Sequence, residues 1–170
     1  MTSEPDVVWI NGAFGSGKTA AAQALCHRVR GAALVDPEPI GSLLRRQSGI
    51  EVEDDYRDLP AWREETCRAV ERAVRSGGCA IVPMTVDRQQ LFELIVDRLR
   101  RSFRVAHFTL RISPESAQAR LRQRGQNPWA LPRVRDQVTR LSAEMFSLHV
   151  DADRSVDEVA DEITALLGVG

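Results

Sequence analysis

The stretch Val7-Val-Trp-Ile-Asn-Gly-Ala-Phe-Gly-Ser-Gly-Lys-Thr19 decides how the rest of the chain is read. Its first residues, 7–11, are a short apolar run rich in β-branched side chains, the mark of a buried strand. Gly12, Ala13, Phe14, Gly15, Ser16, Gly17, Lys18 and Thr19 then satisfy G-x-x-x-x-G-K-[ST] in full. Glycines let the backbone curl so that successive N–H groups point inward at phosphate oxygens, and the helix that begins here adds its positive end. In such a loop the lysine, here Lys18, reaches the β- and γ-phosphates of ATP, and the Thr19 hydroxyl ligates Mg²⁺.

Outward from this motif, strand and helix patterns alternate. A helix is expected over 18–30 and a strand over 32–36, broken by Pro37 and Pro39 before a short helix through Leu43, Leu44 and Arg45. An acidic loop over 51–58 leads to a helix over 61–76, which Gly77-Gly78 stops. A strand over 79–84 follows, then a helix to about 101 with Asp87 and Gln90 as its capping box. A strand over 103–112 precedes a helix opened by Ser113-Pro114-Glu115 and running to about 124. Residues 125–132 are rich in breakers and read as a flap; a helix over 133–146, a short strand over 148–150 and a helix capped by Ser155 and Glu158 close the chain. The alternation predicts an α/β fold, a parallel sheet with helices on both faces, in a single domain over 1–170 with a lid over about 120–135.

Composition sets bounds around that core. The 170 residues are 43% hydrophobic and 28% charged, ordinary for a globular domain. With 24 acidic and 23 basic residues the net charge is −1, which gives no reason to expect nucleic acid or an anionic membrane as partner. Cys26, Cys67 and Cys79 have no metal-like spacing, and the polar, acidic start is unlike a signal peptide, so the expected compartment is the cytoplasm. Of the basic residues, 22 are Arg and one alone is Lys, at position 18. A compact ammonium fits among phosphate oxygens where a planar guanidinium does not, so the one lysine falls where the difference matters.

In an open α/β sheet, ligands bind beyond the carboxyl ends of the strands. Asp36, with Glu38 after it, ends the second strand; a carboxylate there could accept a hydroxyl proton, hold Mg²⁺ through water, or simply close an Asx turn before Pro37. Arg45 and Arg63 either bind a polar substrate or make a solvated helix face. The third strand ends Ile81-Val-Pro-Met-Thr85 with no acid, which weighs against a motor or AAA-type reading; Thr85 either contacts substrate or begins the next turn. Arg120 and Arg124 share a helix face just before the flap, where arginines that swing in on closure could stabilise a phosphoryl group, and Trp129 inside the flap is a candidate for stacking on a ligand.

With these motifs placed, the chain resembles the tunicamycin resistance protein family, a branch of the small P-loop kinases. The resemblance rests on the segment from Trp9 to Thr19, on Asp36-Pro-Glu with Gly41 and Leu44-Arg45, on Trp62-Arg63 and on Ile81-Val-Pro-Met-Thr85. It continues through His107-Phe-Thr-Leu110, Arg120-Leu-Arg-Gln-Arg124 and Trp129. It implies a nucleoside-monophosphate-kinase-like fold with strand order 2-3-1-4-5, ATP binding, and protection against a uridine-containing antibiotic. A looser similarity to chloramphenicol phosphotransferases and shikimate-type kinases implies that Asp36 is a base or metal-side ligand and that Arg120 and Arg124 serve the lid. The leading expectation is a phosphotransferase acting on a small-molecule hydroxyl, as a monomer or homodimer. A drug-sequestering ATP-binding protein and a nucleotide-gated switch are the alternatives.

Overall fold

The computed structural model describes residues 4–49, 55–125, 128–146 and 148–168. Its strands are β1 (Val7–Gly12), β2 (Ala32–Leu34), β3 (Cys79–Pro83), β4 (Val105–Arg111) and β5 (His149–Asp151). They form one parallel sheet in the order β2-β3-β1-β4-β5, as the resemblance implied. β1, at the centre, is apolar on both faces: Val7 and Trp9 enter one core layer, Val8 and Ile10 the other, and all four are fully buried. Each such side chain contributes roughly 1.5–3 kcal/mol of transfer free energy.

Helices cover both faces. α1 (Lys18–Arg28) and α8 (Val156–Leu167) pack together on the Val8–Ile10 side, where Ala21 and Ala22 let α1 approach the sheet closely. α3 (Pro60–Arg75) covers the Trp9 side, with a continuous helical stretch made of α4 (Gln89–Phe92), a π-helical turn over Glu93–Asp97 and α5 (Arg98–Arg100). α2 (Glu38–Ser48), α6 (Pro114–Gln123) and α7 (Val134–Leu141) rise around the carboxyl ends of the strands. Among the described residues no helix is long and apolar enough to cross a membrane.

Local chemistry explains most boundaries. Ser113 caps α6 by accepting from Ser116 N, and Ser155 with Glu158 forms the expected capping box on α8. Three expectations need correction. Pro39 is not a breaker: it sits in the first turn of α2, where its missing N–H costs nothing, so the helix is longer than expected. Asp87 does not cap the next helix, since its carboxylate is buried against two arginines and Arg88 occupies the cap position without a side-chain bond. The helix expected over 133–146 stops at Leu141, where the Ser142 hydroxyl takes the Thr139 carbonyl at 2.6 Å, and a separate 3₁₀ turn covers Glu144–Phe146. Of the acidic loop, 51–54 lie outside the described residues, and so do 126 and 127 of the flap.

Candidate functional site

The sharp turn from β1 into α1 is held open by contacts that the backbone itself demands. Gly15 has φ +79°, and a Cβ there would stand 2.3 Å from the Ala117 carbonyl oxygen of α6. Gly17 caps α1 with φ +90°. Both positions therefore exclude any residue but glycine, one by conformation alone and the other by crowding as well. Behind the turn, Asn11 ties β1 to the segment after β3. Its Oδ1 accepts from Gly12 N and Val86 N, both at 2.9 Å, while its Nδ2 donates to the Val86 carbonyl at 2.9 Å and meets His107 Nε2 at 3.2 Å. Since Nδ2 can only donate, His107 Nε2 is the acceptor; burial holds this imidazole neutral, with its pKa pulled down to about 3. Thr85 is fully buried and donates to the Gly12 carbonyl at 2.6 Å, so in this structure its hydroxyl braces the loop and faces no cleft.

Two clefts flank the loop. One, of 370 Å³, is lined by Phe14, Gly15, Gly17, Lys18 and Thr19 together with Glu38, Arg45, Tyr56, Arg124 and Trp129. It thus gathers most of the residues singled out from the sequence. The other, of 640 Å³, runs past Ala13 between α7 and the ends of β4 and β5, and Ala13 alone of those residues borders it.

Lys18 is buried, with 6% of its surface exposed, and its ammonium donates to the Ala13 carbonyl at 3.3 Å. Burial is the main cause that brings its pKa down to about 8; Arg57 and Arg124 push the same way, and the carboxylates of Glu38 and Asp36 oppose them. An ammonium desolvated in this way is ready to accept an anion. Asp36 is half-buried and its Oδ1 accepts from Glu38 N at 3.0 Å, so the Asx-turn reading holds for that oxygen while the charge still acts on Lys18.

The two flap-side arginines part company. Arg124 is exposed and lines the smaller cleft. Arg120, one turn earlier, donates to the Ser16 carbonyl at 3.3 Å and the Ala152 carbonyl at 2.8 Å, and so braces the loop against the β5–α8 connection. Arg63 is likewise spent on main chain, donating to the carbonyls of Arg57 and Asp58 at 3.2 and 2.8 Å. Arg45 does reach the cleft, with its guanidinium 5.3 Å from the centre of the Tyr56 ring. Trp129 leans on Phe14, ring centres 5.3 Å apart, and carries Arg133 on its own ring at 4.2 Å.

Several residues of this region were not singled out from the sequence. Tyr56 forms a wall of the cleft and fits only because residue 41 is glycine: a Cβ there would meet the ring at 2.4 Å. Arg57 is 3% exposed and lies in a buried ionic cluster; it donates to Asp55 at 2.7 Å, to Asp87 at 3.0 Å and to the Thr85 carbonyl at 3.0 Å. Asp87 in turn accepts from Arg140 of α7 at 2.9 Å. Burial alone would lower the Arg57 pKa and raise that of Asp55; the hydrogen-bonded pairing overrides it in both, so that both stay charged. Gln137 of α7 accepts from Phe14 N at 2.9 Å. Of these, Tyr56 gave a signal, as the chain's single tyrosine; a bond across 123 residues, such as that of Gln137, gives none.

The loop fits a bound polyphosphate. The Ser16 hydroxyl is buried with no partner among the described residues, and a Cβ at Gly12 would stand 2.4 Å from it. Among the described residues no cluster of three or more His, Cys, Asp or Glu could hold a metal ion. Among the described residues the Thr19 hydroxyl is the group in the loop that could ligate a magnesium ion beside phosphate oxygens.

Comparison with known proteins agrees with this geometry. No curated protein sequence matches the chain. The family described as AAA domain matches residues 7–147. The missing acid at the end of β3 thus does not take the chain out of that family, and the next carboxylate, Asp87, is locked by Arg57 and Arg140. A gluconokinase from Sinorhizobium meliloti 1021 is 19% identical, covering 95% of this chain and 91% of its own, with a TM-score of 0.67. A shikimate kinase from Bacteroides thetaiotaomicron is 15% identical, covering 95% and 98%, with a TM-score of 0.60. Both show the P-loop kinase fold. The tunicamycin resistance protein of Deinococcus radiodurans is 32% identical over 99% of this chain and 98% of its own, with a TM-score of 0.82. That degree of identity, over nearly the full length of both chains, makes the protein a member of the tunicamycin resistance protein family, built on an AAA-domain P-loop core.

Proposed function

We propose that the protein is an ATP-dependent kinase that transfers the γ-phosphoryl group to a hydroxyl of a nucleoside antibiotic such as tunicamycin, and so protects the cytoplasm against it. One observation carries this reading: a single cleft brings the phosphate-loop residues Lys18 and Thr19 together with Arg124, Glu38, Arg45, Tyr56 and Trp129. A phosphoryl donor and a polar, ring-bearing acceptor would share it. Lys18 and Arg124 neutralise the transferred group, and Thr19 would hold Mg²⁺, which when bound supplies further neutralisation of the phosphates. Asp36 accepts the proton of the acceptor hydroxyl as its oxygen bonds to the γ-phosphorus and the bond to the β–γ bridging oxygen breaks, which releases ADP. Trp129 and Tyr56 hold the acceptor against the cleft wall, and the flap excludes water.

A second reading, ATP-dependent sequestration of the drug without transfer, is favoured by a specific observation. Two of the four residues expected to serve chemistry are engaged in scaffolding: Asp36 through its turn and Arg120 through two carbonyls. One experiment separates the two. The protein is incubated with Mg-ATP and a panel of nucleoside antibiotics including tunicamycin, and mass spectrometry looks for a product heavier by one phosphoryl group, with Lys18→Ala as control. A product lost in the control supports transfer. Saturable drug binding that needs ATP but yields no product supports sequestration, and absence of both removes this class of ligand.

A further inference from the structure

One peptide unit of the phosphate loop is held from two opposite directions. The Ala13 carbonyl accepts from the Lys18 ammonium at 3.3 Å and from Ser16 N at 3.1 Å. On the other side of the same peptide, Phe14 N donates to Gln137 Oε1 at 2.9 Å. A trans peptide is planar and points its N–H and C=O opposite ways, so whatever fixes the one aims the other. Gln137 reaches the loop from α7 and is 1% exposed. Its amide can face only one way, because Phe14 N has nothing but a hydrogen to offer; the oxygen must meet it. This leaves Gln137 Nε2 buried with no partner among the described residues. A side chain that merely filled space here would be apolar, since a buried unpaired amide donor is costly.

The helix that presents Gln137 is tethered beyond it by Arg140, which donates to Asp87 at 2.9 Å. Ahead of it, Arg133 in the preceding 3₁₀ turn donates to the Trp129 carbonyl at 2.6 Å and closes that turn. Positions 137 and 140 are three apart, on one helix face. The acceptor oxygen of Gln137 is therefore delivered to a fixed place beside the loop.

We propose that Gln137 is a positioning residue, which orients the Ala13–Phe14 peptide so that the Ala13 carbonyl holds the Lys18 ammonium in place until a polyphosphate displaces it. The displacement rests on the nucleotide-binding reading above; the positioning in the empty protein does not. Without an acceptor at 137 the peptide is held from the Ser16 side alone, its tilt is no longer fixed, and an ammonium on a less fixed carbonyl binds phosphate less well.

Because Lys18 is the chain's single lysine, selective ¹³C-lysine labelling gives one set of side-chain resonances that needs no assignment. The variants are Gln137→Met, of similar length with no acceptor, and Gln137→Glu, which keeps an acceptor oxygen. At fixed pH and without nucleotide, Gln137→Met is expected to move or broaden the Lys18 ε-methylene signal, and Gln137→Glu to return it toward wild type. Mg-ATP affinity, read by calorimetry, should fall about five- to twentyfold in Gln137→Met, while the melting temperature changes little, because the loss of the unpaired Nε2 donor offsets the stranding of Phe14 N. A Lys18 signal that superimposes in wild type and Gln137→Met overturns the proposal, and so does loss of affinity only in step with loss of folded protein. Should Gln137→Met not fold, Gln137→Asn, one methylene too short to reach, is read in the same way. If the Lys18 signal behaves as expected but wild type fails to bind Mg-ATP, the positioning role stands and the nucleotide reading falls.

Discussion

The two walls of the smaller cleft are built by different means. On the phosphate side, shape comes from backbone: left-handed Gly15 and Gly17, the Ala117 carbonyl packed against Gly15, and the Asn11 and Thr85 side chains bonded to main chain. On the opposite side, shape comes from side-chain charge. Tyr56 stands on a turn held by Asp55, Arg57, Arg63 and Asp87, with Arg88 donating to Asp58 at 2.6 Å. A wall made of backbone tolerates changes of side-chain chemistry that spare its glycines. A wall made of buried ion pairs does not, because removing either partner leaves an uncompensated charge.

The contrast can be broken in several ways. The largest expected effect is on the ionic wall: Arg57→Met leaves Asp55 with Arg88 alone, at 3.5 Å, and Asp87 with Arg140 alone, and should cost about 3 kcal/mol of stability by denaturant titration. A loss under about 1 kcal/mol would mean that the cluster opens to water and that the contrast between the walls is wrong. Next comes Lys18→Ala, expected to lower turnover by roughly two to three orders of magnitude with little change in stability, as measured by product formation beside a thermal melt. Arg120 and Arg124 sharpen the picture further. Arg124→Ala should cut turnover about ten- to hundredfold with an unchanged melt. Arg120→Ala, which leaves the Ser16 and Ala152 carbonyls short of a donor, should cost about 1–2 kcal/mol of stability. The reverse pattern would exchange their roles.

The most gradual effect, small near neutrality, is one of pH. His107 is held neutral, with its folded pKa near 3 and an ordinary value near 6.5 in the unfolded chain. Protonation thus favours the unfolded state: the contribution is complete above about pH 6.5 and is lost as pH falls from there toward 3, at no more than about 1.4 kcal/mol per unit. Stability curves of wild type and His107→Phe should run parallel above pH 7 and diverge below it, wild type falling faster; parallel curves throughout would show His107 to be solvated.

The same contrast explains what could be read in the sequence. The phosphate loop was legible because its function is set by backbone geometry, and geometry restricts residue type at fixed spacing: Gly15, Gly17 and Lys18 admit few substitutes. The caps at Ser113 and Ser155 were legible for the same local reason. Asp87 was misread as a cap because its spacing to Gln90 satisfies the local pattern while burial beside Arg57 decides its actual partner. Residues 55–58 showed their charge but not their pairing, since nothing in the order of Asp55, Tyr56 and Arg57 announces Asp87, 30 residues on from Arg57. Lys18 and Arg124 line one cleft, whereas Arg63 and Arg120, equally basic in the sequence, went to main-chain carbonyls. Residue type declares a charge; only tertiary packing says who receives it.

The concentration of the chain's basic charge in guanidinium groups has a consequence for its behaviour in alkali. Its one lysine ammonium is enclosed in the phosphate loop, so, histidine aside, the basic side chains on the outside are arginines. Guanidinium keeps its proton past pH 12, whereas lysine-coated proteins shed positive charge from about pH 10 upward. Electrophoretic mobility should therefore change little between pH 9 and 11, and amine-directed acylating reagents will find the chain terminus and little else to modify.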